Sequence, residues 1–194
     1  MRLPRLGGLH RHWEHAVFFR RWLAAPLHIG AIMPSSRYLA RAVARQIDLN
    51  SSLPVIELGG GTGSVTRALL ETGLQPSRLI VVEYDRHLCA LLRRRFPQLR
   101  IVHGDAGRLT QLLAPLGIHA ASSVVSSLPL RTLPKPVRDR IVRESLRLLG
   151  SSGRFVQYTY GPGSPLAGFD ICGRVADRIW LNLPPAAVWS FQEQ

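Results

Sequence analysis

A chain of 194 residues with 46% hydrophobic side chains has the length of one domain and enough apolar surface for a packed core, which excludes a disordered or low-complexity protein. Its 25 basic against 12 acidic residues give a net charge of +13, and Lys135 is the one lysine among the bases, a balance suited to phosphate-bearing partners such as nucleic acid or anionic lipid. Cys89 and Cys172 are isolated and lack metal-ligand spacing, and no stretch reaches the roughly 18 uncharged apolar residues of a spanning helix, so a disulfide scaffold, a cysteine metal site and an integral membrane protein are excluded.

Residues 1–46 carry arginines at 2, 5, 11, 20, 21, 37, 41 and 45 against the single acid Glu14, interleaved with Trp13, Phe18, Phe19 and Trp22. At helical spacing Leu9, Trp13, Ala16 and Leu23 share a face, while Phe18 and Trp22 project another way. Such a helix can touch both the domain and a bilayer, with aromatics at headgroup depth and arginines near phosphates; the simpler alternative is a helix docked on the sheet with a solvated basic edge. Met1–Gly8 has no apolar run of the signal-peptide kind, so the expected location is the cytoplasm, at the inner face of the membrane.

The prolines and glycine of Pro26–Arg37 make a loop, and Ser35 or Ser36 can cap a helix from Tyr38 to Ile47. That helix places Leu39, Ala40, Ala42, Val43 and Ile47 on one side and Arg37, Arg41 and Arg45 on another. We expect residues 1–46 to form a helical segment that contacts a membrane and covers the site, and 47–194 to form the main domain.

In Val55-Ile56-Glu57-Leu58-Gly59-Gly60-Gly61-Thr62-Gly63-Ser64-Val65-Thr66, an apolar strand ends in an acid, a glycine turn follows, and Ser64 or Thr66 opens a helix. The turn lets a ligand approach backbone N–H groups without Cβ atoms in the way. The third glycine of a dinucleotide fingerprint would fall on Ser64, and a phosphate loop would need a lysine that is absent. Glu57 repels phosphate and attracts a cationic amino group. Residues 78–83 are predicted as the next strand, ending in Glu83, 83 − 63 = 20 residues after the last loop glycine, where an acid can hold both hydroxyls of a ribose. A third strand, beginning at Ile101, ends in Asp105, which can accept from an adenine amino group.

Beyond it the pattern predicts a helix over Gly107–Leu116, a strand Ser123–Ser126 with its end turn, a helix Pro136–Leu149 and a strand Arg154–Gly161. A hairpin of Ile179–Leu183 and Ala187–Phe191 closes the chain around Pro184-Pro185.

Three acids at three successive strand ends resemble the S-adenosylmethionine site of Rossmann-like class I methyltransferases. The amphipathic start Phe19-Arg20-Arg21-Trp22, then Gly30-Ala31-Ile32-Met33-Pro34-Ser35-Ser36, then Glu57-Leu58-Gly59-Gly60-Gly61-Thr62-Gly63 is similar to the bacterial phospholipid N-methyltransferases, which convert phosphatidylethanolamine toward phosphatidylcholine. The resemblance implies an α/β fold with a seven-stranded, mostly parallel sheet, helices on both faces and a C-terminal antiparallel hairpin. It implies S-adenosylmethionine as cofactor, S-adenosylhomocysteine as product, a phospholipid substrate, and neither metal nor nucleic acid. Glu57, Gly59, Gly61, Thr62 and Gly63 would hold its methionine end, Glu83 and Tyr84 the ribose, and Asp105 and Ala106 the adenine. Met33, Ser35, Ser36 and Ser126 complete the implied cofactor set.

In this fold the acceptor sits just past the fourth strand, where many amine methyltransferases have Asn-x-Pro-Tyr and this chain has Ser127-Leu128-Pro129-Leu130. The missing amide and aromatic ring count against a flat nucleobase, whereas Ser127 and the backbone carbonyls of Ser127, Leu128 and Pro129 can receive N–H bonds from an aliphatic amine. Tyr158 and Tyr160 share a strand face and can surround an ammonium, or can be two core tyrosines. A tyrosine, a water, His28 or His103 is available to take the proton. The alternatives are methylation of another aminolipid such as ornithine lipid, adenine methylation of the ribosomal-RNA dimethyltransferase type, and an inactive membrane-binding module.

Overall fold

Strands with apolar residues on both faces belong in the middle of a parallel sheet, where helices cover each side. Val55–Leu58 (β1), Leu79–Glu83 (β2) and Ser123–Ser126 (β4) are such strands, each buried at every position. The computed structural model of the protein describes residues 37–161, 163–182 and 184–192. Besides these strands it contains Arg100–His103 (β3), Arg154–Tyr160 (β5), Cys172–Ile179 (β6) and Ala186–Gln192 (β7). They form one sheet in the order β3-β2-β1-β4-β5-β7-β6, with β3 to β5 parallel and β7 antiparallel to both β5 and β6. The expected seven-stranded sheet with its antiparallel hairpin is present.

The helices are Arg37–Ala44 (α1), Ser64–Glu71 (α2), Arg86–Arg95 (α3), Leu109–Leu113 (α4) and Lys135–Leu149 (α5). One core joins Leu39 and Val43 of α1, Val65 and Leu69 of α2 and Leu92 of α3 to Val55, Val81, Val125, Val156 and Val188 of the sheet. Leu109, Leu113, Ile141, Val142 and Leu148 of α4 and α5 are buried as well, as are Ile56, Val82, Val124 and Phe155, the alternate strand positions that face the other way. Helices thus cover both faces, and α1 belongs to the first core.

β3 ends at His103, so Asp105, expected as its last residue, lies two positions beyond it as the cap of the next turn, and three further elements differ more in extent from expectation. The helix expected over Gly107–Leu116 is broken into a 3-10 turn Ala106–Arg108, α4, and a second 3-10 turn Ala114–Leu116, because Pro115 has no N–H to continue the α ladder and Gly117 reverses the chain at φ 73°. The helix expected over Tyr38–Ile47 ends at Ala44, and Gln46 and Ile47 continue in tighter bonds to the carbonyls three residues back. The penultimate strand is Cys172–Ile179, where Ile179–Leu183 was expected. As an edge strand with no buried position it shows no apolar alternation, while Trp180 and Leu181, which look strand-forming, lie in the turn. A register shift between Val175 and Asp177 further blurs its pattern.

Candidate active site

In an open parallel sheet, ligands bind beyond the C-terminal strand ends where the chain order reverses. Here that point lies between β1 and β4, so the glycine turn after β1 and the Ser126–Pro129 turn after β4 sit side by side. Ser127 N–H donates to the Leu58 carbonyl at 2.9 Å, and Gly59 N–H donates to Val82 at 2.9 Å, which extends the ladder one step past each strand.

Gly63 is the N-cap of α2 at φ 88°, so Ser64 opens the helix and Thr66 lies within its first turn. Thr66 therefore has another use: its Oγ1 donates to Glu57 Oε2 at 2.7 Å. Glu57 is fully buried, and its Oε1 accepts no hydrogen bond. Burial pushes the Glu57 carboxyl up to about 7, opposed by the Thr66 bond and reinforced by the nearby Glu83. A buried carboxylate oxygen with an empty acceptor position fits an incoming ammonium group.

The Glu83 carboxylate clips the glycine turn to the end of β2. Gly61 N–H donates to Oε2 at 2.9 Å, while Tyr84 and Asp85 N–H donate to Oε1 at 2.7 and 2.9 Å. Oε1 is thereby saturated and Oε2 keeps one acceptor position. Burial raises the Glu83 carboxyl despite these three donors. Asp105 Oδ1 caps the following turn through Gly107 N–H at 2.8 Å, with Ala106 between them. Thr62 is exposed, and its carbonyl accepts from Arg95 Nη1 at 2.7 Å, which pins the outer side of the turn. Among the described residues no ion pair neutralises Glu57, Glu83 or Asp105, although the chain carries a net +13. The three acids thus give a cationic ligand a negative site in a positive molecule.

Gly61 adopts φ 54°, and a Cβ there would meet nothing closer than the Gly59 oxygen at 4.0 Å, so the turn is open on that side. Gly60, which the sequence did not single out, is closed in: a Cβ would lie 2.5 Å from Val81 Cγ1 and 2.9 Å from Leu92 Cδ1. Gly59 packs against the acceptor turn, where a Cβ would come within 2.8 Å of Leu128 Cδ2.

Across the crevice, Ser126 is fully buried and its Oγ accepts from Leu128 N–H at 3.3 Å. Ser127 Oγ is buried with no partner. The Leu128 carbonyl is already taken, accepting from Leu130 N–H at 2.9 Å and Gln157 Nε2 at 3.1 Å. Pro129 O accepts from Thr132 N–H and Oγ1 and from Leu133 N–H. Of the acceptor-turn groups expected to receive an amine, the Leu128 and Pro129 carbonyls are thus engaged, while the Ser127 hydroxyl has no partner. Gln157, which the sequence reading missed, opposes Ser126 in the β4–β5 register and ties the acceptor turn to β5; a lone glutamine in an apolar strand was its one signal.

Tyr158 follows that pair and shares its sheet face with Val156, Val125 and Glu57. Tyr158 and Tyr160 pack edge to face, ring centroids 5.9 Å apart at 78°, so they do not stand as parallel walls of a cage. Tyr160 is 44% exposed, and burial of its hydroxyl, helped by Tyr158 and opposed by Asn182, pushes it up to about 12. At neutral pH Tyr160 is a phenol and not a base. His103 Nε2 donates to the Tyr84 carbonyl at 3.0 Å, at the end of β3, three strands from β4. That is about 14 Å at the usual strand spacing, too far for proton transfer at the acceptor turn. Met33, Ser35, Ser36 and His28 lie outside the described residues.

A family model described as a methyltransferase domain matches residues 55–153. The chain is 37% identical over 181 residues to the ornithine lipid N-methyltransferase of Singulisphaera acidiphila, covering 89% of this chain and 93% of that protein. It is 35% identical over 119 residues to the ribosomal RNA small subunit methyltransferase A of Synechococcus sp., covering 59% of this chain and 41% of that protein, and so spans under half of that relative's length. Among solved structures, the 1,6-didemethyltoxoflavin-N1-methyltransferase of Burkholderia thailandensis, with bound 1,6-didemethyltoxoflavin and S-adenosylhomocysteine, superposes with a TM-score of 0.65. That match covers 100% of this chain and 94% of the other at 16% identity, and shows a shared fold. The chain belongs to the class I S-adenosylmethionine-dependent methyltransferases, with S-adenosylmethionine as its methyl donor.

Proposed function

We propose that this methyltransferase N-methylates the primary amine of a membrane aminolipid headgroup. The observation that carries the reading is the 37% identity to an ornithine lipid N-methyltransferase over 93% of that protein, an alignment long enough to include both the glycine turn and the acceptor turn. The sequence resemblance pointed first to phosphatidylethanolamine, and the longer similarity puts ornithine lipid ahead of it; both offer a primary amine. Phosphatidylethanolamine stays the second substrate to test.

On this reading Glu57, Gly59, Gly61, Thr62 and Gly63 receive the methionine end of the cofactor, with Glu57 Oε1 as the ammonium acceptor. Glu83 with Tyr84 holds the ribose through its remaining Oε2 position, and Asp105 with Ala106 the adenine. The cofactor supplies a methyl group already activated by its sulfonium. What the chain must then do is hold a neutral amine in line, roughly 3 Å from the methyl carbon, and exclude water. On the same reading the Ser127 hydroxyl, which has no partner in the fold, would accept one N–H of that amine, with Leu128 and Pro129 as the wall beside it and Tyr158 on the β5 side. A primary amine has a pKa of about 10.4 in water, and desolvation in this crevice lowers it. Tyr160, pushed up to about 12, does not take the proton at neutral pH, which leaves water or another residue as the acceptor.

A second reading, adenine methylation in RNA, is favoured by the ribosomal RNA methyltransferase matches. Against it, Ser127-Leu128-Pro129-Leu130 offers neither the amide nor the stacking ring that a flat base uses. Expression in a bacterium that makes phosphatidylethanolamine and ornithine lipid but no methylated lipids tests the choice. Lipid masses raised by one, two or three methyl groups support the proposal; an unchanged lipid extract with newly methylated ribosomal RNA refutes it.

A further inference from the structure

Tyr38, Leu49, Leu53, Leu116, Tyr160, Trp180 and Leu181 are the exposed large apolar side chains among the described residues. Three of them gather at one place: Tyr160 is 44%, Trp180 73% and Leu181 78% exposed. Tyr160 opposes Ala186, which opposes Ile179, so the turn between β6 and β7 leaves the sheet level with the end of β5. Because β5 runs parallel to β4 and β1, this is the end that carries the glycine and acceptor turns. Three strand spacings, about 14 Å, separate the end of β4 from that of β6.

The turn is inside out. Its polar residue, Asn182, is buried and donates through Nδ2 to the Pro184 carbonyl at 2.7 Å, while Trp180 and Leu181 project into solvent. A turn that hides its amide and displays a tryptophan and a leucine leaves burial energy unused in water, and it suits an interface that is apolar on one side and wet on the other. Arg178, on β6 two residues before Trp180, is exposed and basic beside the acid Asp177, Arg174 lies farther along the same strand, and the whole chain carries +13. Exposed apolar tips beside an arginine on a strongly basic chain match the chemistry of an anionic bilayer surface, where rings sit at headgroup depth and guanidinium groups reach phosphates.

We infer that the β6–β7 turn is an interfacial anchor that inserts Trp180 and Leu181 into an anionic lipid surface and thereby turns the acceptor crevice toward the membrane. The inference rests on the aminolipid reading for its purpose, but not for its test. Both residues are exposed and lie three strand spacings from the acceptor turn, so Trp180→Ala with Leu181→Ala is expected to leave the described site groups intact.

The experiment is sedimentation of the full chain with vesicles of phosphatidylethanolamine and phosphatidylglycerol, beside calorimetric titration with S-adenosylmethionine. The double variant is expected to bind vesicles at least roughly tenfold more weakly than the parent, with unchanged cofactor affinity, and Trp180→Phe with Leu181→Ile is expected to restore binding. Equal vesicle binding by parent and double variant, or no vesicle binding by the parent, overturns the inference, as does an anchor that proves to hold a protein partner while vesicles are ignored. A parallel assay of methyl transfer to a short-chain aminolipid dispersed as monomers separates the two claims. No transfer there, with turn-dependent vesicle binding, sinks the substrate and keeps the anchor; transfer without turn-dependent binding does the reverse.

Discussion

At the scale of the residue, the decisive group is Glu57, which the fold buries before any ligand arrives. Its carboxyl, ordinarily near 4.5, is raised to about 7 by burial. The folded state therefore holds a proton that the unfolded chain has released, so this contribution to stability is full below about 4.5 and is lost as pH rises to about 7. Glu83 is shifted in the same direction. The cofactor-free protein is expected to lose on the order of 3 kcal/mol of unfolding free energy over that window. Denaturant titrations at a series of pH values read it, and Glu57→Gln should flatten the slope. Affinity for S-adenosylmethionine should run the other way, rising with pH up to about 7, because the ionised carboxylate receives the ammonium; Glu57→Gln should weaken it about 30-fold by calorimetry. Thr66 donates to the same carboxylate, so Thr66→Val is expected to cost about 1–3 kcal/mol and to move the pH dependence higher.

At the scale of the element, the glycine turn separates two kinds of glycine. A methyl at Gly60 would drive into Val81 and Leu92, so Gly60→Ala should lower the melting temperature through overpacking of about 1–3 kcal/mol. At Gly61 the added methyl meets open space and only the positive φ is strained, so Gly61→Ala should cost about 1 kcal/mol of stability and lose more in cofactor affinity than in melting temperature. The strand, turn and helix around these glycines were legible in the sequence because local chemistry dictates them: apolar β1, glycines at four of the five turn positions, a polar residue opening α2. The central parallel strands β1, β2 and β4 were legible for the same reason, as each is buried on both faces. β6 was not, because an edge strand with no fully buried position leaves no clear periodic trace. Within the site, the acids at the ends of β1 and β2 and after β3 could be read from spacing, whereas the Thr66–Glu57 and Gln157–Leu128 hydrogen bonds could not. Each joins residues whose meeting depends on how elements pack, and that is set by the whole sheet.

At the scale of the whole molecule, charge and crevice work together. On the proposed reading, a net charge of +13 would draw the protein to anionic lipid, while Glu57, Glu83 and Asp105 would keep the crevice attractive to a cationic cofactor. Binding to vesicles containing phosphatidylglycerol should therefore fall steeply as salt shortens the Debye length from about 10 Å toward about 3 Å, since each basic residue near the surface contributes about 1 kcal/mol. Unchanged binding across that titration would contradict a role for the charge. Substrate choice itself is read most directly by transfer of labelled methyl from S-adenosylmethionine with the purified protein. Vesicles of ornithine lipid, vesicles of phosphatidylethanolamine and a ribosomal RNA fragment should be offered separately. Label in an aminolipid, dependent on Glu57 and absent from RNA, is the expected result. Label in the RNA with none in either lipid would contradict the account and make the crevice a nucleobase site.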